Sequence, residues 1–339
     1  MYGISCRRAR EIMTGFIVRR ILWVIPVLIG VSFVVFTISY FMPGDVVWFI
    51  IGTDATQAEY DAMFIQLGFN QPFLVQYWNY ISNIVLHFDL GTSLMYKHDI
   101  GRQLLIRLPY SIQLGVLSTV VSLIIGMPIG VVSATKQYSV ADYSLTITSM
   151  VFASMPGYWF ALILMLIFSV SLGWLPATGT GTWKHWVLPV LSSGIMMCAM
   201  NMRMTRSSML EVIRQDYIRT ARAKGLKEGT VIRKHALKNS FMPVVTVIGM
   251  QFSMLMGGSV VIETIFNMPG VGMYMLTGIT TRDYPVIMGC VLMISVWICV
   301  VNLVVDISYA FIDPRIKAQF GKRKAAGKLE SGLPGKRAA

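Results

Sequence analysis

Side chains that could serve as nucleophiles, acids or metal ligands are rare in the apolar parts of this chain. The four histidines, at positions 87, 98, 185 and 235, all fall between long apolar runs. Glu263 and Asp306 stand just beyond the ends of two such runs. The sequence has no C-x-x-C, no H-E-x-x-H, no G-x-S-x-G and no G-x-x-x-x-G-K-[ST] phosphate loop. It therefore predicts no catalytic residue, no metal site and no cofactor bound by this chain.

Charge is concentrated instead in one segment, residues 203–238, which lies between two apolar runs. In "DYIRTARAKGLKEG" the residues Tyr217, Ala221 and Gly225 recur every fourth position, with Ile218 and Arg222 beside them. This spacing predicts a short helix that presents a small-residue face to a partner. Gly225 is expected to end that helix in the left-handed conformation. The alternative is a basic loop that rests on a lipid surface.

The residues that follow predict a second helix. It is expected to begin after Gly229, with Thr230 as the N-cap and "VIRKHALKN" as the body. Pro243 is then expected in the first turn of the next apolar helix, where a missing amide hydrogen costs nothing.

The elements that position this segment are membrane spans. The chain has 339 residues, of which 55% are hydrophobic and 13% charged, and its mean hydropathy is +0.63. Uncharged runs are near or above the roughly 20 residues that cross the hydrocarbon. They cover residues 21–44, 108–135, 143–183, 186–202, 239–262 and 284–305. We therefore expect an all-α polytopic membrane protein with six transmembrane helices, a loop at 171–186, and Arg203 and Arg206 reaching to the interface.

Lys and Arg residues are distributed unevenly between the two sides of this predicted membrane protein. Of the 29, 24 fall on one side, in residues 1–20, 136–142, 203–238 and the tail after Asp313. The positive-inside rule then places both termini in the cytoplasm. This distribution also accounts for the net charge of +13 without nucleic-acid binding. The organisation predicted is a basic N-terminus (1–20), a permease domain (21–312) and a basic cytoplasmic tail (313–339).

An extracytoplasmic segment, residues 43–107, is expected between the first two spans. "TQAE" at 56–59 fits a capping box, and Gly68 can end the helix that it begins. After Pro72 an apolar stripe that begins with Phe73, Tyr77 and Ile81 predicts a helix along the membrane surface. That stripe either packs on the outer ends of the spans or docks a soluble binding protein.

The route that a solute would follow has a weaker signal. Small or weakly polar residues of the fifth span are candidates to line it, namely Ser253, Gly257, Gly258 and Ser259. Close helix packing by the two glycines is the alternative.

Motifs along nearly the whole chain resemble one family. "YIRTARAKGL" and "KHALKNSFMPVVT" are similar to the cytoplasmic loop of dipeptide/oligopeptide permease subunits of binding-protein-dependent ABC importers. That loop is a variant of the EAA loop, and Arg219, Thr220 and Ala221 stand where the general loop has Glu-Ala-Ala. "RRILWVIPVLIGVSFVVF", "LGFNQPFLVQYW", "RLPYSIQLGVLS", "FNMPGVG" and "VNLVVDISYAFIDPRI" occur in the family's order.

The resemblance implies a type I ABC importer permease fold in a bacterial or archaeal cytoplasmic membrane. It implies a homologous second permease, two cytoplasmic ATPase subunits that hold ATP and Mg, and an extracytoplasmic substrate-binding protein. The ATPase-coupling residues would then be Tyr217, Arg219, Thr220, Ala221, Arg222, Ala223, Lys224 and Gly225. The implied function is ATP-driven import of di- and oligopeptides.

Other functions stay open at this point. The same scaffold imports nickel chelates, glutathione and some oligosaccharides. A secondary transporter would need intramembrane carboxylates, which the six runs lack. A structural or signalling membrane subunit would show no dependence on a solute.

Overall fold

The computed structural model describes residues 6–42, 45–52 and 54–312, and its regular elements within these ranges are helices. The tail 313–339 and the first five residues lie outside the described part. The helices are α1 (Cys6–Phe41), α2 (Val46–Ile51), α3 (Gln57–Gln66), α4 (Phe73–His87), α5 (Ile100–Thr135), α6 (Val140–Ser154), α7 (Gly157–Met165), α8 (Lys184–Ile213), α9 (Asp216–Ala223), α10 (Glu228–Thr230), α11 (Leu237–Ile265), α12 (Val271–Thr280) and α13 (Tyr284–Ile312). Two π-helical turns, Leu166–Ser171 and Val231–Ala236, extend α7 and join α10 to α11.

Four helices in the described ranges are long and apolar enough to cross a membrane. They are Ile17–Phe41 of α1, all of α5, all of α8, and Tyr284–Ser308 of α13. Two bent pairs pass the same criterion: α6 with the helix Gly157–Ser171, and Glu228–Leu255 with Ser259–Ile265. If each bent pair counts as one span, the number is six, as the apolar runs predict.

The third span is a broken helix rather than a straight one, because its two halves meet at 98°. The break falls at Pro156, and the residue before it, Met155, has an extended backbone with ψ of 135°. Proline disfavours the helical conformation in the residue that precedes it, so the chain turns there. Beyond Ser171 the chain stays outside regular helix until α8, which confirms the predicted loop.

Close contact between α5 and α8 holds the centre of the bundle. A Cβ at Gly126 would lie 2.9 Å from the carbonyl oxygen of Cys198, and one at Gly130 would lie 2.7 Å from that of Met202. Glycine therefore lets the two backbones approach, as small residues do between membrane helices. Asn201 of α8 also donates a hydrogen bond to Ser122 of α5 at 2.8 Å.

The segment between α1 and α5 has the caps that the sequence predicts. Thr56 and Glu59 form the reciprocal capping box of α3, and Gly68 follows that helix with φ of 74°.

Hydrogen bonds to Asp283 hold the segment between α1 and α5 against the turn before α13. This carboxylate accepts hydrogen bonds from the Ser93 hydroxyl (2.5 Å) and from the amide of Leu94 (3.1 Å).

The long helix α5 separates two ends of the molecule. Its 36 residues rise roughly 54 Å at 1.5 Å per residue. At its start Ile100 and Leu104 are buried with Val271 and Tyr274 of α12. At its other end Ala134 is buried with residues of α8 and α9. The basic segment around α9 and the segment between α1 and α5 thus lie at opposite ends.

Candidate functional site

The predicted helix of the basic segment is present as α9, Asp216–Ala223. Its inner face carries Ile218 and Ala221, which are buried with Met209 of α8, Ala134 of α5 and Val231. Burial of these apolar groups packs α9 chiefly on the turn Val231–Ala236, with the ends of α5 and α8 in the same cluster. A displacement of α9 would therefore reach α8 and α11 through this turn.

The outer face of α9 is polar and exposed. Tyr217, Arg219, Thr220, Arg222, Ala223 and Lys224 are all exposed. Gly225 has φ of 76°, which confirms the predicted left-handed end, and open space surrounds the position of its missing Cβ. The segment therefore presents a basic surface that is held rigidly from behind.

The expected position of Ala221 on the partner-facing surface is wrong. This residue is only 7% exposed, and it packs inside the chain with Ile218 and Ala236. The helical spacing indicated one face of small residues, but the chain itself covers that face. Ala221 thus anchors α9, whereas the exposed residues beside it are available to a partner.

The start of the next helix also differs from expectation. The helix begins at Glu228 with Lys227 at the N-cap, and Thr230 already has helical backbone angles. Pro243 lies inside α11 rather than in a first turn, because the helix runs without interruption from the π-helical turn.

An ion pair between Arg222 and Glu228 ties the end of α9 to this helix. Arg222 donates to both carboxylate oxygens, with Nη2 at 2.6 Å and Nε at 3.1 Å. The hydrogen bonds to Glu228 raise the pKa of the Arg222 guanidinium. The pair closes the turn that contains Gly225.

Next to this segment, a second ion pair joins three spans. Arg206 of α8 contacts the carboxylate of Asp142 in α6 through Nε and Nη2, each at 2.8 Å. Ser133 of α5 donates to the same carboxylate and accepts from Arg206 Nε at 3.1 Å. Arg206 was expected to reach toward the interface, and it pairs with Asp142 in the first turn of α6, near one end of the bundle. The Arg206 side chain is 26% exposed, whereas that of Asp142 is 3% exposed. No local pattern indicates this partner, which lies 64 residues away in the sequence.

The serines expected along the solute route point into the chain. Ser253 is buried, donating to the carbonyl of Gly249 at 2.9 Å and to Asn302 at 3.3 Å. Ser259 is buried and donates to Glu263 at 2.8 Å. Both therefore serve helix packing, which corrects their assignment to a water-filled route.

A different stripe of α11 is exposed. Met250, Met254 and Val261 lie on it, and Met254 is 73% exposed. Gly257 belongs to this stripe and has open space around it, whereas the surroundings of Gly258 fall outside the described part. Their spacing of four, three and four residues places them on one side of a helix. Gly257 is thus the predicted route residue that the structure leaves accessible.

Glu263 forms a buried network that the sequence did not predict. Its carboxylate accepts hydrogen bonds from the Ser111 hydroxyl (2.7 Å) and from the amide of Met273 (2.9 Å). A Cβ at Gly270 would lie 2.3 Å from Glu263 Cδ, so only glycine lets the backbone wrap around the carboxylate. The network joins α5, α11 and α12 at the end opposite α9.

The stripe of α4 that was a candidate for docking a binding protein packs on α1 instead. Phe73 lies 5.4 Å from Phe36 between ring centroids, and the Tyr77 hydroxyl is 3.1 Å from that of Ser32. Ile81 is half-buried on the same helix. The packing alternative is therefore the one that these contacts support, and Trp78, 70% exposed, lies on the outward side.

Within the part of the chain that the structure describes, no three His, Cys, Asp or Glu residues come together as a metal site. The candidate functional features are the basic face of α9, the exposed stripe of α11, the ion pair of Arg206 and Asp142, and the Glu263 network.

Comparison with known proteins identifies the chain's relatives. Residues 126–318 match the family model "Binding-protein-dependent transport system inner membrane component". Residues 13–114 match the model for the N-terminal part of such membrane components. The chain is 41% identical over 333 residues to the dipeptide transport system permease protein DppB of Alkalihalophilus pseudofirmus, an alignment covering 90% of this chain and 100% of the relative.

Two further relatives are similarly close over the same 90% of this chain. The oligopeptide transport system permease protein AppB of Bacillus subtilis is 40% identical over 316 residues, and 100% of it is covered. The glutathione transport system permease protein GsiC of Pectobacterium atrosepticum is 39% identical over 305 residues, and 99% of it is covered.

Among solved structures, a chain of the MetNI methionine ABC transporter, in an inward-facing conformation, has a similar fold. The TM-score is 0.54 at 16% identity, and the match covers 62% of this chain and 96% of that one. This likeness confirms the expected fold of a type I ABC importer permease. Together, these matches show that the chain belongs to the family of inner membrane components of binding-protein-dependent transport systems, a family of multi-pass membrane proteins.

Proposed function

We propose that this chain is the permease subunit of an ATP-driven importer of di- and oligopeptides. The observation that carries the proposal is similarity along 90% of the chain to permeases of dipeptide and oligopeptide transport systems. The basic face of α9 and its anchorage on α5 and α8 support it, because they combine a docking surface with a mechanical connection to two spans.

The assembly proposed contains a homologous second permease, two cytoplasmic ATPase subunits and an extracytoplasmic binding protein. ATP and Mg would be held by the ATPases, since this sequence has no phosphate loop. Both termini and α9 would face the cytoplasm, as the distribution of Lys and Arg indicates. The segment 43–107 would then meet the binding protein on the outer side.

Coupling would run through α9. Tyr217, Arg219, Thr220, Arg222, Ala223 and Lys224 would contact an ATPase, while Ala221 and Gly225 would hold the helix in position. When the ATPases close on ATP, α9 would move as a rigid lever and change the arrangement of α5 and α8. The ion pair of Arg206 and Asp142 would make α6 move together with α8.

The exposed stripe of α11 would line the solute route where it meets the second permease. Met250, Met254, Gly257 and Val261 offer a weakly polar, adaptable surface. Methionine suits a route for peptides of varied side chain, because its flexible thioether adjusts to different partners.

Uptake of a labelled dipeptide by vesicles containing the assembled complex tests this function. We expect uptake that requires both ATP and the binding protein and that persists when the ion gradient is collapsed. Uptake that vanishes with the gradient, although ATP is present, would contradict the proposal.

Glutathione is the second candidate substrate, because a glutathione permease is nearly as similar to this chain as the peptide permeases are. The two candidates separate by competition. Excess unlabelled dipeptide should abolish dipeptide uptake, whereas excess glutathione should leave it unchanged. Uptake of labelled glutathione that requires ATP and the binding protein, and that excess dipeptide does not reduce, would favour glutathione.

A further inference from the structure

A pocket of about 530 Å³ lies at the end of the molecule opposite α9. It opens between the last turns of α1, the helices α2 and α3, and the first turn of α13. Its volume falls within the roughly 300–1,000 Å³ that ligand sites occupy. Because α1 and α13 both contain candidate membrane spans that end here, the pocket lies at the level of a membrane–water interface.

Six of the sixteen residues that line it are aromatic. The six aromatic side chains are Phe36, Tyr40, Tyr60, Phe64, Phe69 and Tyr284. Several are in mutual contact, with centroids 5.9 Å apart for Tyr60 and Phe64 and 6.0 Å apart for Phe64 and Phe69. Such a wall suits an apolar chain, and its ring faces also attract an organic cation.

Only one charged side chain lines the pocket within the described residues, and it is acidic. Asp45 is exposed, and its carboxylate accepts hydrogen bonds from the amides of Val47 (2.9 Å) and Trp48 (3.4 Å) and from the hydroxyl of Tyr60 (2.6 Å). A carboxylate accepts about four hydrogen bonds, so Asp45 keeps capacity for a further donor. The pocket therefore favours an ammonium group over a phosphate or a carboxylate alone.

We propose that this pocket binds a membrane phospholipid with an ammonium headgroup. The headgroup nitrogen lies at Asp45, and an acyl chain lies against the aromatic residues of the wall. The proposal is independent of the transported solute and of the ATPases. It gives the segment between α1 and α5 a fixed position relative to the bilayer.

Native mass spectrometry of the full-length chain, purified in mild detergent, tests the proposal. The chain is titrated with dioleoyl phosphatidylethanolamine and, separately, with dioleoyl phosphatidylglycerol, which has the same chains and no ammonium group. We expect about three- to fivefold tighter retention of the ethanolamine lipid, the range of an exposed ion pair. Equal retention of the two lipids overturns the headgroup assignment.

Two variants locate the binding at this pocket. Asp45→Asn keeps the cap of α2, because Asn and Asp cap helices equally well, and it removes the charge. It should abolish the preference for the ethanolamine lipid. Leu67→Trp fills the pocket that Leu67 lines and should reduce retention of both lipids. Ile65→Trp, at an exposed position two residues earlier that does not line the pocket, is the matched control and should retain both.

A competition experiment distinguishes the lipid from other ligands that carry an ammonium group and an apolar group. A dipeptide with an N-terminal phenylalanine also combines an ammonium group with an apolar group. If Leu67→Trp leaves lipid retention unchanged, the lipid binds elsewhere and the proposal fails. If millimolar Phe-Ala displaces the ethanolamine lipid, the pocket also takes peptides, and its assignment as a dedicated lipid site is overturned.

Discussion

At the residue scale, the decisive interactions join positions far apart in the sequence. Glu263 bonds to Ser111, which lies 152 positions before it, and it needs a glycine at 270 for space. The sequence showed Glu263 at the end of an apolar run but could not show what would neutralise or solvate it. Local spacing reports which side of a helix a residue occupies, whereas its partner depends on how distant helices pack.

Gly270→Ala should destabilise the folded protein. The added Cβ would lie 2.3 Å from Glu263 Cδ. Overpacking of this kind typically lowers the free energy of unfolding by about 1 to 3 kcal/mol. Thermal unfolding in detergent measures the effect. Gly157→Ala, at a helical position with open space around it, is the control and should unfold as the unaltered chain does. Equal melting of both variants would show that the wrapping of Glu263 is not tight.

Arg206→Gln should lower the free energy of unfolding by more than the removal of a surface charge does, because it leaves the buried Asp142 carboxylate without its cation. Asp142 keeps its hydrogen bonds from Ser133 and from the Tyr138 amide, and Arg206 is partly exposed, so we expect a loss of about 1 to 3 kcal/mol. The double variant Arg206→Gln with Asp142→Asn removes the unpaired charge and should recover part of this loss. Chemical unfolding of both variants in detergent provides the comparison. A double variant less stable than Arg206→Gln alone would argue against the pairing.

At the element scale, two of the predicted helix ends are present, whereas the predicted N-cap at Thr230 was wrong because the helix begins earlier, at Glu228. The capping box of α3 and the left-handed end of α9 are confirmed, because each depends on a few adjacent residues. The stripes of α4 and α9 were correctly placed on helices, but their partners were not predictable. A stripe indicates that a face is covered; here α1 covers one and the ends of α5 and α8 cover the other.

Gly225→Ala should disturb the end of α9. At φ of 76° a side chain costs about 1 to 2 kcal/mol, so the turn before Glu228 should shift. We expect normal insertion into the membrane and reduced retention of the ATPase subunits in a pull-down. Gly229→Ala is the control, since Gly229 is in a helix with open space around it. If the two variants retain the ATPase subunits equally, the conformation of this turn does not contribute to ATPase binding.

At the scale of the whole molecule, composition predicted the membrane location and the number of spans, but not the break at Pro156. The two ends of α5 carry different surfaces, and the proposed orientation assigns them to opposite sides of the membrane. Which end faces the cytoplasm rests on the distribution of Lys and Arg.

Single cysteine probes test that orientation in intact cells. In a background with Cys6→Ser, Thr92→Cys should react with an impermeant thiol reagent added from outside. Lys227→Cys should react only after the cells are opened. Both positions are exposed in the structure, so a difference in labelling reports the side of the membrane. Labelling of Lys227→Cys from outside would reverse the orientation.

The most direct test of the account is ATP-driven dipeptide uptake by a complex in which the exposed face of α9 has its charge reversed. The double variant Arg219→Glu with Lys224→Glu alters exposed residues only, so the chain should insert and fold normally. Lys136→Glu, an exposed basic residue at the same end but off α9, is the matched control. We predict that the double variant loses the ATPase subunits and at least about tenfold of uptake, whereas Lys136→Glu retains both. A double variant that keeps its ATPases and full uptake would contradict the assignment of α9 as the coupling helix.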